Sequence, residues 1–273
     1  MRLNYFQNRP KASKIDVDAY LARIHQSKEP ASLKYLRKLH RSHQIQIPFE
    51  NLDIHYGQKI VLDYQKIFEK LITNRRGGFC YELNGLFYHL LSHVGFDCFL
   101  ISAKVKNKET QEFGRDYDHM AIVVRIDGEE WLVDVGFGEG MIYPKKIIKG
   151  LVQMDYVDYW RMDTDPDENL ILQVSLDSNH FRSLYLFTLQ EKQVIQFMEM
   201  CEYQQSSPQS TFTQKKLITK LTAEGRITLT DRKLKILALG EVSEVDIMNE
   251  DEFISKLEQH FGISFRQLIP KRQ

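Results

Sequence analysis

The dipeptide Asp127-Gly128 constrains the fold of this chain more than any other pair of residues. Both residue types tolerate positive φ. They lie between two apolar, β-branched runs at 120–126 and 131–135, which is the strongest short-range hairpin signal a sequence offers. A two-residue turn sets 126 opposite 129, and continuing that register brings His119 near position 136. His119 and Asp134 then lie on a diagonal that longer side chains span. Taken singly, His119 reads as a sheet histidine and Asp134 as a chance burial. Taken together, a carboxylate inside an apolar strand needs a partner, and His119 is the near one.

A second feature is residues 76–84, Arg-Gly-Gly-Phe-Cys-Tyr-Glu-Leu-Asn. The glycine pair permits a tight turn or a close backbone approach. From Cys80 onward, Leu83, Phe87, Leu90, Leu91 and Val94 recur at helical spacing, and Gly95 supplies a stop. Cys80 therefore opens a helix, where free N–H groups and a partial positive charge shift a thiol toward thiolate. The bland alternative is a small buried hydrophobe, the usual fate of a free cysteine. A histidine that takes a thiol proton and a carboxylate that orients the histidine complete a nucleophilic set, so Cys80, His119 and Asp134 form the candidate site.

The pattern along the chain is helical, then β, then mixed. Val17, Tyr20, Leu21 and Ile24 make one apolar helix face; Leu33, Leu36 and Leu39 make another that Pro48 ends. Asp63 is the expected N-cap of a helix over 64–73. Strands are expected at 98–105, 120–126, 131–135, 170–176 and 184–189, a hairpin at 216–230 and a helix over 249–260. Helices followed by strands predict an α+β fold: an N-terminal helical bundle (1–83), a central antiparallel β-barrel (84–192) and a C-terminal mixed α/β lid (193–273). A thiol on a helix start meets a histidine on a sheet edge where the first two parts join.

Balanced charge, 37 basic against 37 acidic residues, argues against nucleic acid or a membrane surface as a general partner. The N-terminal residues 1–7 lack the apolar core of a signal peptide, and no stretch matches a membrane span. Three cysteines at unrelated spacing (80, 98, 201) form neither a disulfide framework nor a CxxC zinc site. A cytoplasmic, reducing location and no metal are the expectations. His89 and His93 share a helix face without a third ligand and read as helix-surface histidines.

Beyond these readings the chain resembles the arylamine N-acetyltransferases. The resemblance rests on 76–84, on Asp118-His119-Met120 and on Asp134-Val135-Gly136-Phe137-Gly138. Further support comes from Ile47-Pro48-Phe49-Glu50-Asn51-Leu52, from Ser207-Pro208 with Ser210 and Phe212, and from Gly225-Arg226-Ile227-Thr228-Leu229. It covers nearly the whole chain in order, and implies the same three-part architecture. It implies acetyl-coenzyme A as acyl donor, Cys80 as the acetylated nucleophile, His119 as base, Asp134 as orienting carboxylate, and an arylamine or hydrazine as acceptor in ping-pong xenobiotic metabolism.

The resemblance also sets the turn at 49–51 beneath the Cys80 loop, which makes Glu50 the partner of Arg76 in a structural pair. Phe49, Phe79, Phe137 and Gly138 are candidates for an aromatic acceptor slot, although ordinary core is the simpler reading of any one phenylalanine. The charged loop 107–117, with Arg115 and Tyr117, and the pair Lys215-Lys216 are candidates for coenzyme contacts, although a lysine pair is usually a solvated face. Two competing readings remain: a Cys-His-Asp hydrolase or transglutaminase-like amide exchanger with the same residue types in the same order, and a non-catalytic binding module. The oligomeric state has no sequence signal.

Overall fold

The computed structural model describes residues 15–156 and 158–269; the reading of residues 1–7 lies outside the described residues. Helix α1 (Val17–Arg23) starts at Asp16, whose Oδ1 accepts from Ala19 N at 2.9 Å, and α2 (Leu33–Gln46) starts at Ser32 in the same way. Pro48 follows α2, and a two-residue strand β1 (Phe49–Glu50) and a short turn of helix α3 (Leu52–His55) come next. Helix α4 (Tyr64–Phe68) is capped by Asp63 as expected and widens into a π-turn over Glu69–Thr73. Helix α5 (Cys80–His93) then runs to Gly95, which takes the left-handed conformation (φ 97°) of a helix stop.

Eight strands follow: β2 (Asp97–Val105), β3 (His119–Ile126), β4 (Glu129–Val133), β5 (Lys145–Lys146), β6 (Gln153–Asp155), β7 (Asp158–Thr164), β8 (Leu170–Ser175) and β9 (Arg182–Phe187). They form one antiparallel sheet in the order β5-β4-β3-β2-β9-β8-β7-β6. Its two ends meet through side chains: the Gln153 amide accepts from Lys146 N at 2.8 Å and donates to Lys146 O at 2.9 Å, and Lys145 Nζ donates to Asp155 Oδ2 at 2.6 Å. This amide stands in for a backbone ladder and nearly closes the barrel. The hairpin register is the one the sequence predicts, with Ile126 opposite Glu129 and both Asp127 and Gly128 at positive φ.

Alternation along β2 and β3 divides the apolar residues between two cores. Phe99, Ile101, Ala121 and Val123 point into the barrel with Trp160, Leu172, Tyr185 and Phe187. Leu100, Met120, Ile122 and Val124 point the other way, onto Leu83, Phe87 and Leu90 of α5. Both faces of these strands are therefore buried, which is why their sequences read as unbroken apolar runs.

The last third holds α6 (Met198–Ser206), α7 (Thr211–Gln214), strands β10 (Leu217–Leu221), β11 (Gly225–Thr230), β12 (Lys233–Ala238) and β13 (Glu241–Asp246), and α8 (Glu250–Phe261). The second sheet runs β1-β10-β11-β12-β13, so the N-terminal strand β1 sits on its edge, beside β10. Phe253, Leu257 and Phe261 of α8 pack on Ile218, Leu229 and Leu234; each buried side chain contributes about 1.5–3 kcal/mol. The expected 216–230 hairpin is present, and β12 and β13 extend it beyond what the sequence suggested.

Candidate active site

The loop before α5 is held by backbone pairing. Gly78 N donates to Pro48 O at 3.3 Å, and Glu50 N donates to Gly78 O at 2.9 Å. A Cβ at Gly77 would stand 2.2 Å from Pro48 O, so the close approach of these two segments requires glycine. Glu82 Oε2 accepts from Phe79 N at 3.1 Å, which fixes the first turn of the helix.

Cys80 is 3% exposed. Burial pushes its thiol up and so opposes the shift toward thiolate expected of a helix start. The charges of Asp134 and Asp118 push the same way, and the Met120 backbone N–H directed at the sulfur pulls against them.

Asp134 lies one residue past the end of β4 rather than inside the strand, and it is fully buried. Its carboxylate accepts four hydrogen bonds: Oδ2 from His119 Nε2 at 2.7 Å and Tyr185 Oη at 3.0 Å, Oδ1 from Asn84 Nδ2 at 2.9 Å and Gly136 N at 3.0 Å. Burial alone would raise this carboxyl, but His119, Asn84 and Gly136 hold it below its usual range. A carboxylate can only accept, so the His119 proton sits on Nε2 and Nδ1 is the nitrogen left to exchange one. Gly136 seats this segment on the helix: a Cβ there would lie 2.8 Å from the Cys80 Cα. Asn84, one helical turn after Cys80, also donates to Met120 O at 2.6 Å and accepts from Val135 N at 2.9 Å. It thus ties α5 to both strands of the hairpin.

Arg76 and Glu50 do pair, through Nε and Nη2 to Oε1 at 3.0 and 2.8 Å, both fully buried. Arg76 also reaches Asp53 Oδ1 at 2.7 Å and Gln267 O at 2.8 Å. Lys70, carried inward by the π-turn, joins Asp53 at 2.7 Å to Glu82 at 2.8 Å. Five charges therefore meet beneath the Cys80 loop. Burial pushes Glu82 up despite Lys70, whereas Lys70 and Arg76 hold Asp53 down.

Phe137 packs edge-on against His119 and Tyr185, with centroids 5.2 and 5.3 Å away. Phe49 and Phe79 meet elsewhere, around Phe212 at 6.1 and 6.0 Å, and Phe79 is fully buried. Gly138 joins the two groups, since a Cβ there would touch Phe49. Arg115 stacks over Tyr203 at 4.7 Å, and Tyr117 packs on Phe197 at 5.2 Å, both against the segment leading into or forming α6. Lys216 is paired with Glu250 and lies over Phe253, while Lys215 is exposed. Arg115 and Tyr117 thus sit on one side, and Lys215 and Lys216 on another. His89 is 4% exposed, which corrects its reading as a surface histidine: it faces the Tyr64 ring between α4 and α5.

A buried cysteine at the start of α5, with a His119–Asp134 pair on the hairpin seated against that helix, fits the class of cysteine proteins that transfer acyl groups. A family model described as N-acetyltransferase matches residues 32–269. The chain is 31% identical to arylamine N-acetyltransferase 1 of Bos taurus over 94% of its own length and 97% of that protein's. It superposes on the solved arylamine N-acetyltransferase of Salmonella typhimurium with a TM-score of 0.84, at 29% identity and 90% coverage of each chain. It also superposes on the Mycobacterium marinum arylamine N-acetyltransferase in complex with CoA, with a TM-score of 0.85, at 27% identity and 93% and 95% coverage. The chain belongs to the arylamine N-acetyltransferase family.

Proposed function

We propose that this enzyme moves an acetyl group from acetyl-coenzyme A, through a thioester on Cys80, to the nitrogen of an arylamine or arylhydrazine. The observation that carries the reading is the Asp134 carboxylate, held by four donors with His119 Nε2 at 2.7 Å, on a segment seated against the Cys80 backbone. The CoA complex of the Mycobacterium marinum relative supports coenzyme A as donor, and the relatives' arylamine substrates support the acceptor class.

In the first half-reaction the Cys80 sulfur bonds to the thioester carbonyl carbon as its proton passes to His119 Nδ1. The carbon–sulfur bond to coenzyme A breaks, and the same proton leaves on the coenzyme thiolate. N–H groups of the first turn of α5 stabilise the oxyanion. In the second half-reaction the amine nitrogen attacks acetyl-Cys80 and His119 accepts the amine proton; the C–S bond then breaks and that proton passes to the Cys80 sulfur, restoring the resting enzyme. Phe137, beside His119, is the acceptor contact we propose first, with Phe49, Phe79 and Gly138 behind it. Arg115, Tyr117, Lys215 and Lys216 are proposed toward the coenzyme, and Arg76 with Glu50 as the support of the loop.

The divisions 1–83, 84–192 and 193–273 remain a proposal: the barrel interior and the C-terminal sheet each have their own apolar cluster, but the first cluster runs from Ile15 through α5 and the outer face of β2 and β3 to Phe197 and Cys201, and the first boundary falls inside α5. Three cysteines with no disulfide among the described residues support a reducing, cytoplasmic setting. Mass spectrometry of the protein mixed with acetyl-coenzyme A tests the reading: one acetyl group on the Cys80 peptide, removed by an arylamine, is the expected result. A Cys80→Ser enzyme of undiminished activity would overturn the covalent route.

A further inference from the structure

We infer that His40, on α2, is a positioning residue for the acyl-transfer site, acting on Asp134 through the Asp134 backbone N–H. The inference deepens the proposed acyl transfer and rests on it. His40 is fully buried, six residues before the end of α2 and more than ninety residues away in sequence from the segment it holds. Its Nε2 lies 3.2 Å from Asp134 N, and its Nδ1 lies 2.9 Å from Ile142 O. An N–H donates and a carbonyl accepts, so the two contacts together assign one tautomer: Nδ1 carries the proton and Nε2 is bare. Burial pushes His40 down to about 4, which keeps it neutral and so able to accept from Asp134. Gln44, one turn further along the same helix face, donates to Met141 O at 2.6 Å.

These contacts grip both ends of the segment 134–142. That segment carries Asp134, Gly136, Phe137 and Gly138, and it has no strand partner of its own between β4 and β5. The backbone at Asp134 has just left the β4 ladder, so its N–H needs another acceptor, and a helix side chain provides it. If that acceptor is lost, the peptide plane at Asp134 can rotate, and the carboxylate moves relative to His119 Nε2. The titratable groups facing His40 are Asp134, Asp155 and Lys145 from other elements and His43 on α2 itself, all of them buried.

Two isosteric variants separate positioning from packing. Asn at position 40 can place a nitrogen near His Nδ1 and so keep the Ile142 contact, while it offers nothing to Asp134 N. Gln at position 40 can place an amide oxygen near His Nε2 and so keep the Asp134 contact. The readout is the pH profile of Cys80 alkylation by iodoacetamide, followed by peptide mass spectrometry, with urea midpoints as a check on folding. His40→Asn is expected to slow alkylation at neutral pH about tenfold to a hundredfold and to move the profile about one unit upward. His40→Gln is expected to recover most of that loss. A folded His40→Asn protein with the profile of the parent overturns the inference, as does a His40→Gln protein no better than His40→Asn. Should His40→Asn fail to fold, the Gln variant against His40→Leu decides: recovery by Gln supports the inference, and equal loss overturns it. Alkylation requires no acyl donor, so failure of the parent to take up acetyl from acetyl-coenzyme A would sink the acetyl-transfer reading and leave this test intact.

Discussion

Two buried polar regions flank the first turn of α5, and they are built on opposite rules. On the barrel side a single carboxylate, Asp134, is satisfied by an imidazole, a hydroxyl, an amide and a backbone N–H. On the other side Glu50, Asp53, Glu82, Lys70 and Arg76 form a closed net of ion pairs. The first arrangement leaves one nitrogen, His119 Nδ1, free to exchange a proton; the second gives every charge a partner. Dipolar ligation holds a carboxylate in its ionised state while the groups around it stay neutral, whereas mutual ion pairing fixes a loop.

The largest effect expected is on chemistry, from Asp134→Asn. Asn84 Nδ2 and Gly136 N need an acceptor, so the new amide turns its oxygen to them and its NH2 toward His119 Nε2. His119 must then accept at Nε2 and carry its proton on Nδ1, the wrong tautomer for a base. On the proposed roles, the acetylation rate of Cys80 falls by about 10⁴-fold in a folded protein. Stopped-flow acetylation beside a urea curve measures both, and an unchanged rate would remove Asp134 from the chemistry.

Arg76→Met tests the other region, and its main effect is expected on stability. The Glu50 and Asp53 carboxylates would lose their shared cation while remaining buried, at a cost of about 3–5 kcal/mol. Chemical denaturation measures this. A loss below about 1 kcal/mol would mean that water enters and that the net is looser than its geometry.

The two regions also differ in how far the sequence foretold them. Hairpin register and the His119–Asp134 pairing were legible because Asp127-Gly128 leaves one turn geometry open, and a slip of one residue would invert every apolar side chain. The Arg76–Glu50 pair was legible through the resemblance, but Asp53, Lys70 and Glu82 were not, since an isolated charge carries no mark of burial. Asn84 had a signal that went unused: it lies four residues after Cys80 and therefore on the same helix face. Tyr185 and His40 come from distant elements and had none. The strands β12 and β13 were missed because Lys-Leu-Lys and Glu-Val-Ser-Glu-Val-Asp are rich in charge, and β13 is exposed along its whole length. The burial of the thiol was not legible, because the helix dipole is visible in a sequence and the depth of burial is not.

A smaller effect separates the regions by pH. Burial lowers His40 and His89 to about 4, from an ordinary value of 6.5, and lowers His43 well below that ordinary value. Between those values the unfolded chain binds protons that the folded chain refuses, so stability rises with pH across the window and is lost as pH falls through it. Each histidine contributes up to about 1.4 kcal/mol per pH unit. Glu82 acts with the opposite sign: its folded-state value is raised, so its ionisation costs stability as pH rises above the ordinary glutamate range. Urea midpoints from pH 5 to 7 should therefore climb less steeply in His89→Leu than in the parent, and more steeply in Glu82→Gln. An identical slope in both variants would show that neither group is held as the structure has it.

The smallest effect is the sharpest test of the dipolar design. Tyr185→Phe removes one of four donors to Asp134 and leaves the ring packing against His119 and Phe137 in place. A hydrogen bond to a charged acceptor is worth about 1.5–3 kcal/mol. The three remaining donors share the carboxylate, and that places the expected loss at the lower end. Because Tyr185 and His119 bond the same oxygen, Oδ2, loss of the hydroxyl leaves that oxygen richer in charge and strengthens its grip on the His119 proton. The acetylation rate should then fall by about tenfold or less. A fall as deep as that of Asp134→Asn would mean that the hydroxyl itself delivers a proton, and that the carboxylate is held by fewer groups than its four contacts imply.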